Sequence, residues 1–254
     1  MKLHHQIQGE GRPLLILHGL FGSSANWRGI ATRLADGCKV VTVDLRNHGL
    51  SPHSDIVSYP SMANDIAELI ADLNLNQVDI IGHSIGGKVA MTLAGQYPAT
   101  VNNLIVVDIA PKAYIDRHSD IFEALLAIDL KQVTKRSDAD IALSATIDNK
   151  VIRQFLLKNL TREENGFKWC LNLIALSEQY SILIEPVCEH QNINQRSLFV
   201  RGGRSDYIEN DDIESIQQQF SDVTVVTLEQ AGHWLHAEFP DQFITAIQRF
   251  LSYD

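Results

Sequence analysis

The stretch Val78-Asp-Ile-Ile-Gly-His-Ser-Ile-Gly-Gly-Lys-Val-Ala-Met91 decides the fold of this chain. Its opening apolar run predicts a buried strand that ends abruptly at Gly82, and after Ser84 the apolar residues recur at helical spacing. The segment Gly82-His-Ser-Ile-Gly86 fits the G-x-S-x-G pattern. In that pattern a sharp turn between strand and helix lifts a serine above a sheet. We therefore expect Ser84 to be an acyl-transfer nucleophile.

The rest of the chain alternates between buried strands and amphipathic helices. Short apolar runs predict strands at 14–17, 40–43, 78–81, 104–107, 198–200 and 223–227, with a short edge strand at 3–7. Helical spacing is found at 24–35, 60–73, 85–93 and 208–220, and Pro240 opens a last helix. This rhythm predicts an α/β fold with a mostly parallel sheet, flanked by helices and joined by right-handed crossovers.

The rhythm breaks between residues 111 and 189, where no buried strand can be identified. Helical patterns cover 120–132, 137–145, 150–160 and 169–180. We expect residues 111–189 to form a helical lid, or cap, inserted into a core built from residues 1–110 and 190–254. An independent binding domain is the alternative.

Polar residues that could assist the serine follow the predicted strands. Ligands bind at the carboxyl ends of the strands in an open parallel sheet, so helpers are expected there. His233 follows the last strand and is the expected general base, while Asp108 and Asp206 follow two other strands. The order Ser, Asp, His along the chain is typical of a hydrolase triad. Both carboxylates remain candidates for the residue that orients the imidazole.

Each of these assignments has a structural alternative. Ser84 could simply cap the helix that follows it. Of the ten histidines, most must be structural. His83 is expected to pack in the turn, His18 and His48 to hydrogen-bond within loops, and His236 to stabilise the loop that carries His233.

Acyl transfer also needs backbone N–H groups that bind the oxyanion. The residue after the nucleophile, Ile85, is expected to supply one of them. The other is expected from the loop after the strand at 14–17, with Leu20 as the first candidate and Phe21 as the alternative.

Composition excludes several classes of function. The chain has 254 residues, a hydrophobic fraction of 45% and a formal net charge of −10, which argues against nucleic-acid and anionic-membrane binding. The three cysteines lie far apart, in no metal-binding pattern. No secretory signal or membrane-length apolar run is found. We expect a cytoplasmic protein without a metal or an organic cofactor, and its oligomeric state stays open.

Together these motifs resemble those of the α/β-hydrolase superfamily. The motifs are His18-Gly-Leu-Phe-Gly-Ser23, Asp44-Leu-Arg-Asn-His-Gly-Leu-Ser51, Gly82-His-Ser-Ile-Gly-Gly-Lys88, Asp108-Ile-Ala-Pro111 and Gly232-His-Trp234. The chain is more narrowly similar to the YbfF-type group of short-chain acyl esterases and thioesterases. That resemblance implies hydrolysis of acyl esters or acyl-CoA thioesters, and it favours Asp108 over Asp206 as the triad acid.

The leading hypothesis is therefore a serine hydrolase that acts on small acyl esters or thioesters of short to medium chain length. A C–C bond hydrolase, a lyase, a perhydrolase and a non-catalytic ligand receptor are alternatives on the same fold. Cationic side chains that could meet the phosphates of CoA are Lys88, Arg46 and Arg117. The expected apolar lining of the lid comprises Ile121, Phe122, Leu125, Phe155, Leu156 and Trp169.

Overall fold

A seven-stranded β-sheet forms the centre of the molecule in the computed structural model, which describes residues 1–164 and 166–252. In chain order the strands are β1 (His5–Gln8), β2 (Arg12–Leu17), β3 (Cys38–Val43), β4 (Val78–His83), β5 (Val101–Val107), β6 (Leu160–Glu163), β7 (Gly166–Trp169), β8 (Arg196–Gly202) and β9 (Val223–Leu228). All but β6 and β7, which pair with each other, belong to this sheet.

The order of the strands brings the predicted site residues to one edge of the sheet. The sheet runs β1-β3-β2-β4-β5-β8-β9, with β1 antiparallel to β3 and every other pair parallel. The carboxyl ends of β2, β4, β5, β8 and β9 therefore share one edge. The loops that leave this edge carry His18, Ser84, Asp108, Asp206 and His233.

Helices cover both faces of the sheet. They are α1 (Arg28–Leu34), α2 (Tyr59–Asp72), α3 (Ile85–Gln96), α4 (Ser119–Leu126), α5 (Arg136–Leu143), α6 (Lys150–Leu156), α7 (Leu173–Glu178), α8 (Tyr180–Ile184), α9 (Asn210–Gln219), α10 (Leu235–Glu238) and α11 (Pro240–Leu251). One apolar core joins the sheet to α2, α3, α9 and residues 111–189, and the other joins it to α1 and α11. The predicted α/β class is therefore confirmed. Within the described ranges, none of the helices combines the length and apolar character that a membrane crossing requires.

The inserted segment, residues 111–189, leaves the sheet after β5 and returns before β8. It contains α4 to α8 and, between α6 and α7, the antiparallel hairpin of β6 and β7. The hairpin lies between the helical patterns predicted at 150–160 and 169–180 and overlaps them only at Leu160 and Trp169, and it is a feature that the sequence did not predict. Only Leu160 is buried in β6, so the strand shows no alternating apolar pattern. Gly166, with φ of +131°, adopts a backbone conformation that glycine tolerates best.

A buried lysine fastens the two ends of the inserted segment. Lys88 Nζ donates to the carbonyl oxygens of Lys112 at 2.9 Å and Glu185 at 2.6 Å, and it lies 4.9 Å from the centroid of the Tyr114 ring. Burial lowers the pKa of Lys88 to about 7. The two ends also pair directly, because Val187 N donates to Pro111 O at 2.9 Å. The segment is thus anchored to α3, one turn beyond Ser84.

The turn between β4 and α3 depends on the absence of side chains at its glycines. A Cβ atom at Gly82 would lie 2.2 Å from the carbonyl oxygen of Gly86. A Cβ atom at Gly86 would lie 2.5 Å from His18 O and 2.6 Å from Leu17 O. All of these contacts are with backbone atoms, which cannot move aside without shifting β2 or α3. Both glycines are therefore required by close approach.

A buried histidine belongs to the core beneath α11. The His236 ring stacks on Trp27 with centroids 4.1 Å apart and an interplanar angle of 7°, and Phe243 borders the same stack. In the part of the chain that the structure describes, His236 Nδ1 has no hydrogen-bond partner. Burial lowers the pKa of His236 to about 3, with a smaller contribution from His233. The ring is therefore held in the core as the neutral imidazole.

We predict that Gly82→Ala lowers the free energy of unfolding by at least about 2 kcal/mol, because its Cβ atom meets backbone that cannot relax. The matched control is Gly29→Ala in α1, where a Cβ atom meets nothing within 4 Å. Its expected effect is a gain of about 0.5–1 kcal/mol from helix propensity. Urea unfolding of both variants is the measurement, and equal stability of the two would contradict the prediction.

We predict that His236→Phe makes the protein less sensitive to acid. Below the ordinary histidine pKa of 6.5, the unfolded chain binds a proton that folded His236 refuses, so wild-type stability falls as pH falls. Phenylalanine preserves the stack on Trp27 but cannot take up a proton. Relative to wild type, the variant should gain about 2 kcal/mol between pH 7 and pH 5. Stability curves that run parallel over this range would refute the prediction.

Candidate active site

Ser84 stands at the tip of the turn between β4 and α3. Its backbone has φ of 53° and ψ of −123°, a region that non-glycine residues rarely adopt. Such a residue stores about 1–3 kcal/mol of strain, which the surrounding contacts must hold. Ser84 N donates to Val107 O at 3.0 Å, and Ser84 O accepts from Gly87 N at 2.8 Å. Within the described residues the Ser84 hydroxyl makes no hydrogen bond, and it faces a cavity.

Asp108 and His233 meet beside this cavity. His233 Nδ1 lies 2.7 Å from Asp108 Oδ2, and the carboxylate is fully buried. Asp108 also accepts from Gly202 N at 2.9 Å and from the Ser205 hydroxyl. A carboxylate only accepts, so the Nδ1 atom of His233 carries the proton and Nε2 is left with a free lone pair. The contact therefore sets the tautomer that a general base needs.

Asp206 has a different partner. Its Oδ1 atom lies 2.5 Å from Arg117 Nη1, and 67% of its side chain is exposed. The hydrogen bond from Arg117 lowers the pKa of Asp206. Of the two predicted acids, the structure thus brings Asp108 to His233 and sends Asp206 to an ion pair at the surface.

Tyr207 is a site residue that sequence reasoning missed. Its ring stacks on the His233 imidazole with centroids 3.9 Å apart and an interplanar angle of 16°. Tyr207 O accepts from the Tyr114 hydroxyl at 2.6 Å, and Arg117 lies over the Tyr207 ring at 4.9 Å. The only signal in the sequence was its place next to Asp206, in the loop after β8. The stack restricts rotation of the His233 imidazole ring about the bonds of its side chain.

The loop after β2 holds the predicted oxyanion donors. His18 Nε2 accepts from Leu45 N at 3.0 Å, so His18 Nδ1 carries the proton and donates to Gly19 O at 2.8 Å. Gly22 N also donates to Gly19 O, at 2.9 Å. These two bonds orient the peptide plane between Gly19 and Leu20. Because the bond is trans, the N–H of Leu20 points away from the Gly19 carbonyl.

The other two predicted donors have distinct settings. Ile85 is the first residue of α3, so its N–H is one of the free donors at a helix N-terminus. Phe21 has φ of 60°, and its carbonyl oxygen accepts from Asn159 Nδ2 of the inserted segment at 2.7 Å. The inserted segment therefore helps to hold the loop that carries Leu20.

The cavity above Ser84 has a volume of about 280 Å³. Of the apolar residues predicted to line the lid, Ile121, Phe155 and Leu156 border this cavity. The other three predicted residues do not border it. Phe122 and Leu125 are packed in the core, and Trp169 lines a separate depression. Half of the side chains predicted from the inserted segment therefore border the cavity above Ser84.

The three cations considered for phosphate recognition lie in different environments. Arg117 borders the cavity and pairs with Asp206. Arg46 is buried and donates from Nε to Asp65 Oδ2 at 2.6 Å, and Lys88 is buried at the ends of the inserted segment. Only Arg117, of these three, is within reach of a molecule bound near Ser84.

Several histidines close to His233 are held neutral by burial. The pKa of His83 lies well below its ordinary value, and that of His118 falls to about 4. Desolvation is the main cause in both cases, and the nearby His233 adds to it. His83 Nε2 lies 2.9 Å from the carbonyl oxygen of His233, so this neutral ring braces the backbone of the loop after β9.

Comparison with known proteins identifies the family to which this fold belongs. Residues 12–240 match the family described as alpha/beta hydrolase fold. The chain is 38% identical over 249 residues to an sn-1-specific diacylglycerol lipase of Xenopus tropicalis, covering 95% of this chain and 78% of the relative. It is 33% identical to Esterase YbfF of Escherichia coli, covering 97% of this chain and 96% of that protein.

A solved structure called marine microorganism esterase is similar over almost its whole length. The TM-score is 0.96 at 42% sequence identity, covering 98% of this chain and 99% of that one. The topology of the sheet, the glycine-flanked serine turn and the match over residues 12–240 agree, so this chain belongs to the α/β-hydrolase fold family.

Proposed function

We propose that this protein is a serine hydrolase that cleaves small-molecule carboxylic esters through an acyl-enzyme. The observation that carries the proposal is the contact of 2.7 Å between His233 Nδ1 and Asp108 Oδ2, beside the cavity that Ser84 faces. The relatives named as an esterase and a lipase support an ester as the substrate.

In the first step, His233 Nε2 takes the proton of the Ser84 hydroxyl while Oγ attacks the acyl carbonyl carbon. The protonated imidazole then gives this proton to the leaving oxygen, and the alcohol departs. Water attacks the Ser84 ester in the same way, releasing the acid and restoring the serine. Asp108 stabilises the imidazolium that forms in both steps, and its bonds from Gly202 N and the Ser205 hydroxyl hold the carboxylate in place against His233.

The developing oxyanion is bound by backbone N–H groups of Leu20 and Ile85. Preorganised donors of this kind are each worth about 3 kcal/mol of barrier. The bonds from His18 and Gly22 to the Gly19 carbonyl support Leu20 for this role, because they orient its peptide plane before substrate arrives. The N–H of Phe21 belongs to the peptide plane between Leu20 and Phe21, and among the described residues no such bonds to the Leu20 carbonyl orient that plane. Phe21 is therefore the second candidate.

The acyl chain is of short to medium length, and acyl-CoA thioesters are a second class of substrate. Thioester cleavage uses the same nucleophile, base and oxyanion donors. Arg117 supports a phosphate-bearing leaving group, because it borders the cavity, although Asp206 already neutralises part of its charge.

We also propose a cytoplasmic location, which the three free thiols of Cys38, Cys170 and Cys188 support.

We predict that Asp108→Asn lowers kcat for p-nitrophenyl acetate by about 10³–10⁴-fold, because an amide favours the wrong imidazole tautomer. The matched control is Asp206→Asn, which removes a largely exposed ion pair and should change kcat by less than about 3-fold. Near-normal turnover by Asp108→Asn, together with collapse of Asp206→Asn, would reverse the assignment of the acid.

We predict that Ser84→Ala abolishes hydrolysis of p-nitrophenyl esters and of the matching acyl-CoAs, with a fall of at least about 10⁴-fold. In the wild type, an active-site-directed phosphonate should label Ser84, and an activated aryl ester should give a burst of p-nitrophenol. A lyase that never acylates Ser84 would give no burst. A ligand receptor would give neither labelling nor turnover.

A further inference from the structure

The space around Ser84 divides into two adjoining lobes. The large lobe is the cavity of about 280 Å³, and it is bordered by His233 and Trp234 and by Ile152 and Phe155 of the inserted segment. The small lobe has a volume of about 30 Å³. Ser84 lies in the wall that the two lobes share.

The small lobe shares five bordering residues with the large lobe, namely Leu20, Ser84, Arg117, His118 and Tyr207, and its other bordering residues differ. Of these, Ile85 is the first residue of α3 and Ile109 follows β5, while Tyr180, Leu183 and Ile184 come from the end of the inserted segment. His233 is not among the described residues that border it. The two lobes therefore lie in different directions from the Ser84 hydroxyl, one toward the imidazole and the other toward the start of α3.

The position of His233 decides which part of an ester each lobe receives. Attack by Ser84 creates a tetrahedral carbon that bears the serine oxygen, the oxyanion, the leaving oxygen and the acyl chain. His233 must reach both the serine oxygen and the leaving oxygen to move the proton between them. The leaving alcohol therefore lies in the large lobe, beside His233, and the acyl chain extends the other way, past Ile85.

The volume of the small lobe limits the acyl chain. A single water needs about 10–15 Å³ of such space, so about 30 Å³ admits roughly two groups of that size. This accommodates the methyl group of an acetyl ester or the ethyl group of a propionyl ester. A longer chain would have to displace the walls.

Hydrogen bonds hold those walls in place. The Tyr59 hydroxyl donates to Leu183 O at 2.7 Å, and the Tyr114 hydroxyl donates to Tyr207 O at 2.6 Å. The Tyr180 hydroxyl lies 2.7 Å from His118 Nδ1. All three phenol groups are thus engaged, and turning any ring away would leave a buried polar atom without its partner, which is costly.

The large lobe suits a bulkier group. Its volume approaches that of pockets for drug-sized ligands, which begin at about 300 Å³. Its walls include the rings of Phe155 and Trp234, whose centroids are 5.6 Å apart, and the side chains of Ile121 and Ile152. These surfaces fit an aliphatic or aromatic alcohol.

We propose that the enzyme is selective for esters that join a very short acyl group, acetyl or propionyl, to a bulky apolar alcohol. The small lobe receives the acyl group and the large lobe the alcohol. This inference rests on the proposed function, narrows its range of short to medium acyl chains to the shortest members, and assigns the two halves of its substrate.

Two isomeric esters test the assignment in the wild-type protein. Octyl acetate and methyl nonanoate contain the same atoms and differ only in which side of the ester carries the long chain. The expected kcat/KM is at least about 10-fold higher for octyl acetate, the scale on which a pocket discriminates by size. Equal or higher kcat/KM for methyl nonanoate, with turnover that requires Ser84, overturns the assignment of the lobes alone. If neither isomer nor p-nitrophenyl acetate is turned over through Ser84, the proposed function and this inference fail together.

A matched pair of variants tests the lobes separately. Ile184 borders the small lobe and Ile152 the large lobe, and both are half-buried isoleucines in the inserted segment. Ile184→Ala should raise the ratio of kcat/KM for p-nitrophenyl hexanoate over acetate by at least about 5-fold. Ile152→Ala should change both esters by the same factor, because their leaving group is identical. Leu183→Ala is a second enlargement of the small lobe. A rise in the ratio for Ile152→Ala, with none for either variant of the small lobe, reverses the assignment.

Discussion

The close approach of β2, β4 and α3 at the serine turn is the constraint on which the rest of the structure depends. Backbone atoms at Gly82 and Gly86 lie so near to their neighbours that no side chain fits between them. In the turn that these glycines flank, Ser84 has a positive φ and stands at the carboxyl edge of the sheet. The strain is small against the apolar burial around it, because β4 and the first residues of α3 are buried.

Asp108 is the second organising point, and it joins three loops of that edge. It follows β5, and its carboxylate accepts from Gly202 at the end of β8, from Ser205 in the loop after β8 and from His233 in the loop after β9. A fully buried carboxylate without such partners would be costly. The same bonds that stabilise it therefore also fix the separation of these loops and the tautomer of His233. Stability and the geometry of the site come from one set of contacts.

The inserted segment both borders the cavity above Ser84 and helps to hold the loops around it. Lys88 fastens both of its ends to α3, and Asn159 holds the carbonyl of Phe21 in the loop after β2. Its tyrosines close the small lobe, and its helices α4 and α6 form one side of the large lobe. Different parts of the segment are thus held by α3 and by the loop after β2, and they border two spaces of very different size around one serine.

The sequence by itself determined the class of fold and the edge of the sheet where chemistry is expected. Apolar runs of strand length, the glycines around Ser84 and the order of Ser84, Asp108 and His233 are local signals, and each follows from backbone geometry or burial. Tertiary structure alone decided which carboxylate contacts the imidazole, since Asp108 and Asp206 both follow strands and differ only in where their loops turn. It also decided the stack of Tyr207, the hairpin of β6 and β7 and the two lobes. The Tyr207 stack and the two lobes arise from contacts between residues far apart in the chain, which no local pattern of polarity records. The hairpin is local, but only Leu160 of β6 is buried, so this strand carries no alternating apolar pattern.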